Sequence, residues 1–187
     1  MFLAVPVCAF AQNTEKAMAA YKKGDFVTSM KEWRVLADEG YTTAQNMVGD
    51  FYYEGIGAPQ DYVEAAKWFL LAAEKGLPFA QTKLGQMYNS GEGVPQSDIS
   101  AVNWFDLAAR QGYTPAQMGL GVMYYQGSDD VKDIVAAHMW FNIASVNKSK
   151  NGKKLRDLAA LKMTGDQISE AQRKARICME SEYQECD

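Results

Sequence analysis

A repeat with a period of 36 residues runs through the middle of this 187-residue chain. A glycine, a tyrosine, a second glycine and a tryptophan keep their spacing in three successive units. They are Gly49, Tyr52, Gly55 and Trp68, then Gly85, Tyr88, Gly91 and Trp104, then Gly121, Tyr124, Gly127 and Trp140. A period between about 20 and 50 residues is typical of a repeat array, in which no unit buries its apolar face without its neighbours. The chain is therefore predicted to fold as stacked repeats.

Each full repeat is predicted to contain two helices joined by a glycine-rich loop. In the repeat over residues 41–76, the apolar spacing predicts helices over residues 43–53 and 62–75. Gly55 and Gly57 in the loop accept a positive φ because glycine has no Cβ. The same two-helix pattern divides the repeat region 12–147 into units of about 12–40, 41–76, 77–112 and 113–147.

The recurrence of tryptophan indicates a core position in each repeat. The central repeats have neighbours on both sides, whereas the first repeat has only one. We therefore expect Trp68 and Trp104 to be more buried than Trp33.

The repeat motif is specific, since about ten positions recur in register. It reads Ala-x3-Leu-Gly-x2-Tyr-x2-Gly-x-Gly-Val-x-x-Asp and then Ala-x2-Trp-x3-Ala-Ala-x2-Gly. This motif resembles the Sel-one-like repeat (SLR) branch of the tetratricopeptide-repeat superfamily, in its exported bacterial type. Residues 44–76 match best, and the match fades in the last repeat. The resemblance implies an all-α fold: an α-solenoid in which antiparallel helix pairs stack into a right-handed superhelix.

The period is predicted to stop after Asn147. Residues 148–154 are polar and basic and indicate a hinge, followed by a helix that ends near Met163. Thr164 and Gln167 form a capping-box pattern that opens a last helix to about Glu180. Because the last repeat of a solenoid would otherwise expose its core, residues 148–187 are predicted to be a C-terminal helical cap.

The amino terminus indicates export. Residues 1–11 are uncharged and end in a small-x-small pattern, which is typical of the end of a secretory signal peptide. Cleavage there would remove Cys8 and leave Cys178 and Cys186, and an even pair in an exported chain predicts a disulfide. The chain is then expected to be periplasmic or secreted; in the cytosol the two thiols would instead be free.

Eight residues of continuous helix would separate the two Cα atoms by about 12 Å, too far for a disulfide. The last helix must therefore end near residues 180–182 and the tail must fold back.

Composition and motifs argue against several functions. A net charge of −4 and a pI near 5.1 do not suit a nucleic-acid partner, and no apolar run is long enough for a transmembrane helix. The single histidine, His138, aligns with positions beside the packed face and is expected to be a packing or surface residue, and no triad, metal-ligand or phosphate-loop pattern accompanies it. We expect no enzymatic activity, no cofactor and no metal.

The resemblance implies that the first helix of each repeat lines a concave groove. The implied groove residues are Asn46, Asp50, Tyr53, Thr82, Gln86, Asn89, Met118, Val122 and Tyr125. The first six are polar or aromatic and suit hydrogen bonds to an extended peptide. The last three form an apolar stripe that needs a cover, which is either the C-terminal helix pair or the apolar anchor of a partner.

Two functions remain. The favoured hypothesis is a non-enzymatic, monomeric adaptor of the bacterial envelope that holds a protein or peptide in its groove. The alternative is a hydrolase of cell-wall or β-lactam-like amides, as the resemblance to cysteine-rich relatives implies. Those relatives carry a cysteine pair in every repeat, whereas this chain has no cysteine inside its repeats.

Overall fold

The computed structural model of the chain describes residues 7–186, and over this range the fold is all-α. The helices are Val7–Lys22 (α1), Phe26–Asp38 (α2), Thr42–Glu54 (α3), Tyr62–Glu74 (α4), Pro78–Ser90 (α5), Asp98–Ala109 (α6), Thr114–Gln126 (α7), Ile134–Val146 (α8), Lys150–Ala160 (α9) and Gly165–Glu180 (α10). Of the expected signal segment, residues 1–6 lie outside the described residues. Helix α1 begins at Val7 and continues past Gln12.

The second helix of each repeat begins at an N-cap residue that recurs every 36 positions. Its side-chain oxygen accepts hydrogen bonds from backbone N–H groups of the first turn, which have no partner within the helix. These residues are Asp25, Asp61, Ser97 and Asp133. A local sequence signal therefore sets the start of α2, α4, α6 and α8.

The first helices keep the same phase, and the start of α9 in the C-terminal region keeps it too. Helices α3, α5, α7 and α9 begin at Thr42, Pro78, Thr114 and Lys150, each 36 residues after the last. The predicted hinge over residues 148–154 was therefore wrong, because residues 150–154 belong to α9, whereas α10 begins at Gly165 and does not continue the 36-residue phase of α2, α4, α6 and α8. The start of α9 was predicted too late because its first turns are polar and basic, although it occupies the place of a further first helix.

Two local features explain why α9 starts so early. The Ser149 side chain accepts a hydrogen bond from the backbone N–H of Gly152 and caps the helix. A Cβ on Gly152 would lie 2.8 Å from the backbone nitrogen of Ser145, so only glycine lets α9 approach α8 this closely.

The chain forms two compact units, and the division falls inside α5. The first unit extends to Ala80 and includes Glu92–Val94. Its consecutive helices α1 to α4 pack around a core that contains Trp33, Leu36 and Val48.

The second unit comprises Gln81–Gly91 and the chain from Pro95 onward. In it α7 packs against α6 and α8, and α9 and α10 both pack against α8. The core contains Phe105, Leu120 and Trp140 together with Ala171 and Ala175 of α10.

The tryptophans do not follow the predicted order of burial. Trp33 is 3% exposed, whereas Trp68 is 8% exposed and Trp104 is only half-buried. The prediction that Trp68 and Trp104 would be more buried than Trp33 was wrong. Helix α1, the first helix of this repeat, packs against α2 and contributes Ala17 to the core cluster of Trp33, so this tryptophan is covered without a preceding repeat.

A disulfide joins Cys178 to Cys186, with the two Cα atoms 4.4 Å apart. Helix α10 ends at Glu180, and Glu182 and Tyr183 then take positive φ values of 53° and 68°, so the tail turns back as the cysteine spacing requires. The Tyr183 hydroxyl accepts a hydrogen bond from Asn147 Nδ2 at 3.0 Å. The disulfide thus holds a tyrosine against the end of α8.

Removal of this disulfide is expected to destabilise the fold. Replacing both Cys178 and Cys186 by serine should lower the free energy of unfolding by roughly 2–3 kcal/mol, since the bond closes a short loop in the unfolded chain. Urea titration with and without a reductant measures the loss. The reductant should shift the wild-type midpoint and leave the double variant unchanged; an unchanged wild-type midpoint would show that the bond carries no stability.

Candidate functional site

In each full repeat, a glycine of the first helix contacts a phenylalanine of the second. The pairs are Gly49 with Phe69, Gly85 with Phe105, and Gly121 with Phe141. A Cβ on any of these glycines would come within 2.8 Å of the ring, closer than side chains tolerate. Glycine therefore allows the two helices of a repeat to approach, and the phenylalanine is buried between them.

Phe105 also forms the floor of a cleft between α5 and α7. The cleft has a volume of about 290 Å³, and exposed amides and half-buried apolar groups share its walls. Its lining residues are Gln86, Asn89, Phe105, Pro115, Met118, Gly119, Val122 and Met123. A Cβ on Gly119 would lie 2.7 Å from the Phe105 ring, so this glycine also brings α7 close to the floor.

Gln86 and Asn89 form the side of the cleft that belongs to α5, and their side-chain amides are available to a ligand. The backbone carbonyl of Gln86 accepts from Ser90 Oγ at 3.1 Å, and that of Asn89 accepts from Gln96 Nε2 at 2.9 Å. Both side chains are exposed, and neither side-chain amide forms a hydrogen bond with another described residue. Because an amide both donates and accepts, each can pair with a peptide group of a ligand.

The other predicted groove residue of α5 lies deeper. Thr82 is 5% exposed, so its side chain lies beneath the surface and not on the cleft wall. Of the predicted α5 set, Gln86 and Asn89 are the residues that reach a ligand-accessible surface.

The predicted groove residues of the first unit are engaged with one another and with a neighbouring loop. Asn46 Nδ2 donates to Asp50 Oδ2 at 3.1 Å, and the Tyr53 hydroxyl donates to Glu92 Oε2 at 2.9 Å. Burial, followed by this bond to Glu92, raises the pKa of Tyr53 to about 12. A ligand here would have to compete with these internal bonds.

The apolar stripe on α7 is partly covered by α9. Met118, Val122 and Tyr125 pack on a buried cluster that includes Ala159 of α9. Near the end of α9, the Lys162 ammonium lies 4.6 Å from the centre of the Tyr125 ring. Helix α9 therefore supplies the cover at the Tyr125 end, whereas Met118 and Val122 face the cleft.

A row of glutamines that the sequence analysis missed links helix ends. Gln45 Nε2 donates to the Ala37 carbonyl, and its Oε1 accepts from Lys75 Nζ at 3.1 Å. In the second unit Gln117 repeats this arrangement with the Ala109 carbonyl and with Asn147 Nδ2 at 2.9 Å. The signal was an Ala-Gln pair at residues 44–45, 80–81 and 116–117, in the same period of 36. These amides are buried and structural.

The described residues include no group of histidine, cysteine, aspartate and glutamate side chains suited to hold a metal ion. His138 is 2% exposed, and its Nδ1 has no hydrogen-bond partner among the described residues. Burial, and then the positive charge of Arg156, lower the pKa of His138. This histidine is a neutral packing residue of α8.

The buried histidine makes stability depend on pH. Its folded pKa lies below the ordinary value of 6.5, so its contribution is complete above that value and is lost as the pH falls towards the folded pKa. The free energy of unfolding should decrease from about pH 7 to pH 5, and less steeply in His138→Leu. Urea titrations across this range test the difference; parallel curves would contradict it, since the chain has one histidine.

No helix in residues 7–186 is both long and apolar enough to cross a bilayer.

In-register helix pairs, with a small ligand-accessible cleft between two first helices, define an α-solenoid repeat protein. The chain belongs to the Sel1 repeat family, whose model matches residues 42–77, 78–113 and 114–145 and so more than half of the chain. The family generally provides scaffolds for protein–protein interaction. Helices α1 and α2 precede the matched repeats.

Two solved structures show the same fold. One is a protective antigen of uropathogenic Escherichia coli strains that displays an SLR fold, with 36% identity and a TM-score of 0.70. The match covers 75% of this chain but 31% of the antigen, so the chain spans less than a third of that protein. The other is a Sel1 repeat protein from Oxalobacter formigenes, with 35% identity and a TM-score of 0.60, which covers 68% of this chain and 96% of the relative. A comparison with curated proteins gave no match.

Proposed function

We propose that the chain is a non-enzymatic scaffold that binds an extended segment of a partner protein in the cleft between α5 and α7. The observation that carries this proposal is the pair of free, exposed amides of Gln86 and Asn89 beside the half-buried Met118 and Val122. An extended peptide presents backbone N–H and C=O groups along one edge and side chains between them. The side-chain amides can form hydrogen bonds with the peptide backbone, and the apolar cavity can hold one anchoring side chain of the peptide.

The size of the cleft sets the kind of anchor. A cavity of about 290 Å³ over the Phe105 ring has room for one leucine, methionine or phenylalanine side chain. Phe105 is held rigidly between Gly85 and Gly119, so the floor is formed before the ligand arrives. Such preorganisation lowers the ordering cost of binding.

An exported location fits this role. Disulfides form and persist in oxidising compartments, and the bond between Cys178 and Cys186 is of that kind. The similarity to a protective antigen of Escherichia coli agrees with an envelope or secreted protein. We therefore propose that the partner is a protein of the bacterial envelope or beyond it.

A peptide selection followed by calorimetry tests the proposed cleft. Peptides selected from a display library on the full chain should carry a large apolar residue within an extended segment. Gln86→Ala with Asn89→Ala should weaken their binding roughly tenfold or more, since each lost hydrogen bond contributes about 0.5–1.5 kcal/mol.

Asn103→Ala is the matched control, because this exposed asparagine lies on α6 away from the cleft lining. It should leave the affinity unchanged. If the selection gives no ligand, or if the double variant and the control bind equally, the cleft is not the binding site.

A further inference from the structure

The second helix of each repeat carries a row of three residues at i, i+4 and i+8, here called the outer row. The outer rows are Val27, Lys31 and Val35 on α2; Val63, Lys67 and Leu71 on α4; Ile99, Asn103 and Leu107 on α6; and Val135, Met139 and Ile143 on α8. The first and third residues are large and apolar in every repeat. The middle residue is polar in the first three helices and a methionine in α8.

In α8 the outer row is covered by another helix of the same chain. Helix α10 packs against α8, and Met139 and Ile143 are 2% and 0% exposed. Ala171, Ala175 and Cys178 of α10 belong to the same cluster and are fully buried. The structure thus contains a helix docked on this row, with small side chains at i, i+4 and i+7 towards it.

On the other second helices the same row is exposed. Val63 and Leu71 of α4 are 52% and 41% exposed, and Leu70 beside them is 39% exposed. Single apolar residues on a surface are ordinary, but a cluster of three on one helix indicates a contact surface. Nothing in the repeat motif requires large apolar side chains at exposed positions.

We propose that the outer row of α4 docks an amphipathic helix of a partner protein, as α10 docks on α8. The outer row of α4 shares no residue with the cleft, and this proposal does not depend on the function proposed for the cleft. The middle position fixes the chemistry of the partner. Lys67 stands where α8 has Met139, and docking removes its ammonium from water, which is costly unless a carboxylate accompanies it.

Lys67 already has a neighbouring charge, but that pair is weak. Its partner Glu64 lies on the same helix, and the Lys67 side chain is 63% exposed. An exposed pair of this kind contributes little and leaves the lysine open to a second carboxylate. The partner helix therefore has small residues facing Val63 and Leu71 and an aspartate or glutamate facing Lys67.

Two synthetic peptides test the proposal on the full chain. The first has the sequence of residues 165–180 with Cys178→Ser, and the second also carries Ala175→Glu in the middle of its small-residue row. The wild-type chain should bind the glutamate peptide at least tenfold more tightly than the first peptide. In Lys67→Met, which gives α4 the middle residue of the α8 row, the preference should reverse.

Controls locate the site and separate it from the cleft. Leu71→Glu should remove binding of both peptides, whereas Leu161→Glu, at an 83% exposed position outside the row, should not. Gln86→Ala with Asn89→Ala should also leave peptide binding intact.

Three results would overturn the proposal. The wild-type chain shows no saturable binding of the glutamate peptide, or wild type and Lys67→Met prefer the same peptide. The third is that peptide binding survives Leu71→Glu. A chain that binds anionic lipid vesicles through Leu71 and neither peptide would assign the row to a membrane surface instead, and would equally overturn it.

Discussion

Replacing Phe105 by alanine is expected to lower the free energy of unfolding by about 3–5 kcal/mol, one of the largest losses for a single side chain in this protein. Phe105 is 4% exposed and lies in the core of the second unit. Gly85 on α5 and Gly119 on α7 already lie against the ring and have no side chain, so neither helix can easily fill the space that loss of the ring leaves. A cavity that cannot collapse is the costly kind. Urea titration measures the loss, and Leu161→Ala, at an exposed position, should stay within about 0.5 kcal/mol of wild type.

The contact between Gly119 and Phe105 makes this prediction specific. In wild type, Gly119→Ala should cost about 1–3 kcal/mol because the new methyl group would overlap the ring. In the Phe105→Ala background the methyl group has room, and the change should instead stabilise α7 by up to about 1 kcal/mol through helix propensity. Equal effects of Gly119→Ala in both backgrounds would contradict the proposed packing.

Trp140→Ala is expected to cost about 3–5 kcal/mol and to exceed the cost of Trp104→Ala clearly. Trp140 is 2% exposed and lies among α8, α6 and α10, whereas Trp104 is half-buried. The apolar area that returns to water determines most of the difference. Chemical denaturation of the two variants gives the order directly, and an equal loss for both would show that burial of the tryptophans does not set stability here.

The periodic part of the fold could be predicted from the sequence because its causes are local. The N-cap side chains at Asp25, Asp61 and Asp133 and the glycines at positive φ act within a few residues of themselves. Repetition in register then confirms each assignment several times over. The predicted helices over residues 43–53 and 62–75 agree with Thr42–Glu54 and Tyr62–Glu74 within one residue at each end.

The parts that the sequence did not predict depend on long-range contacts. The burial of Trp33 depends on α1, and the burial of Met139 depends on α10, which lies far along the chain. Helix α9 has no recognisable repeat motif because its outward face is basic, and only its start at Lys150 shows the common phase. Amphipathic periodicity reports a helix and its inward face, but not what packs against it.

The candidate site was predicted only in part for the same reason. The resemblance to tetratricopeptide-type repeats implied that Gln86, Asn89, Met118 and Val122 share one surface, and in the structure they line one cleft. It could not show that Thr82 is buried or that Tyr53 is bonded to Glu92. It also gave no sign of Phe105 as the floor, since that residue comes from a second helix.

The most direct measurement of the proposed scaffold function is a methyl NMR titration of the full chain with a peptide selected on it. The chain has ten methionines, and two of them, Met118 and Met123, line the cleft. Met18 on α1 is 41% exposed and serves as an internal control in the other unit. We expect the methyl signals of Met118 and Met123 to shift and saturate together while that of Met18 stays fixed. Saturation with unchanged Met118 and Met123 signals would contradict binding in this cleft.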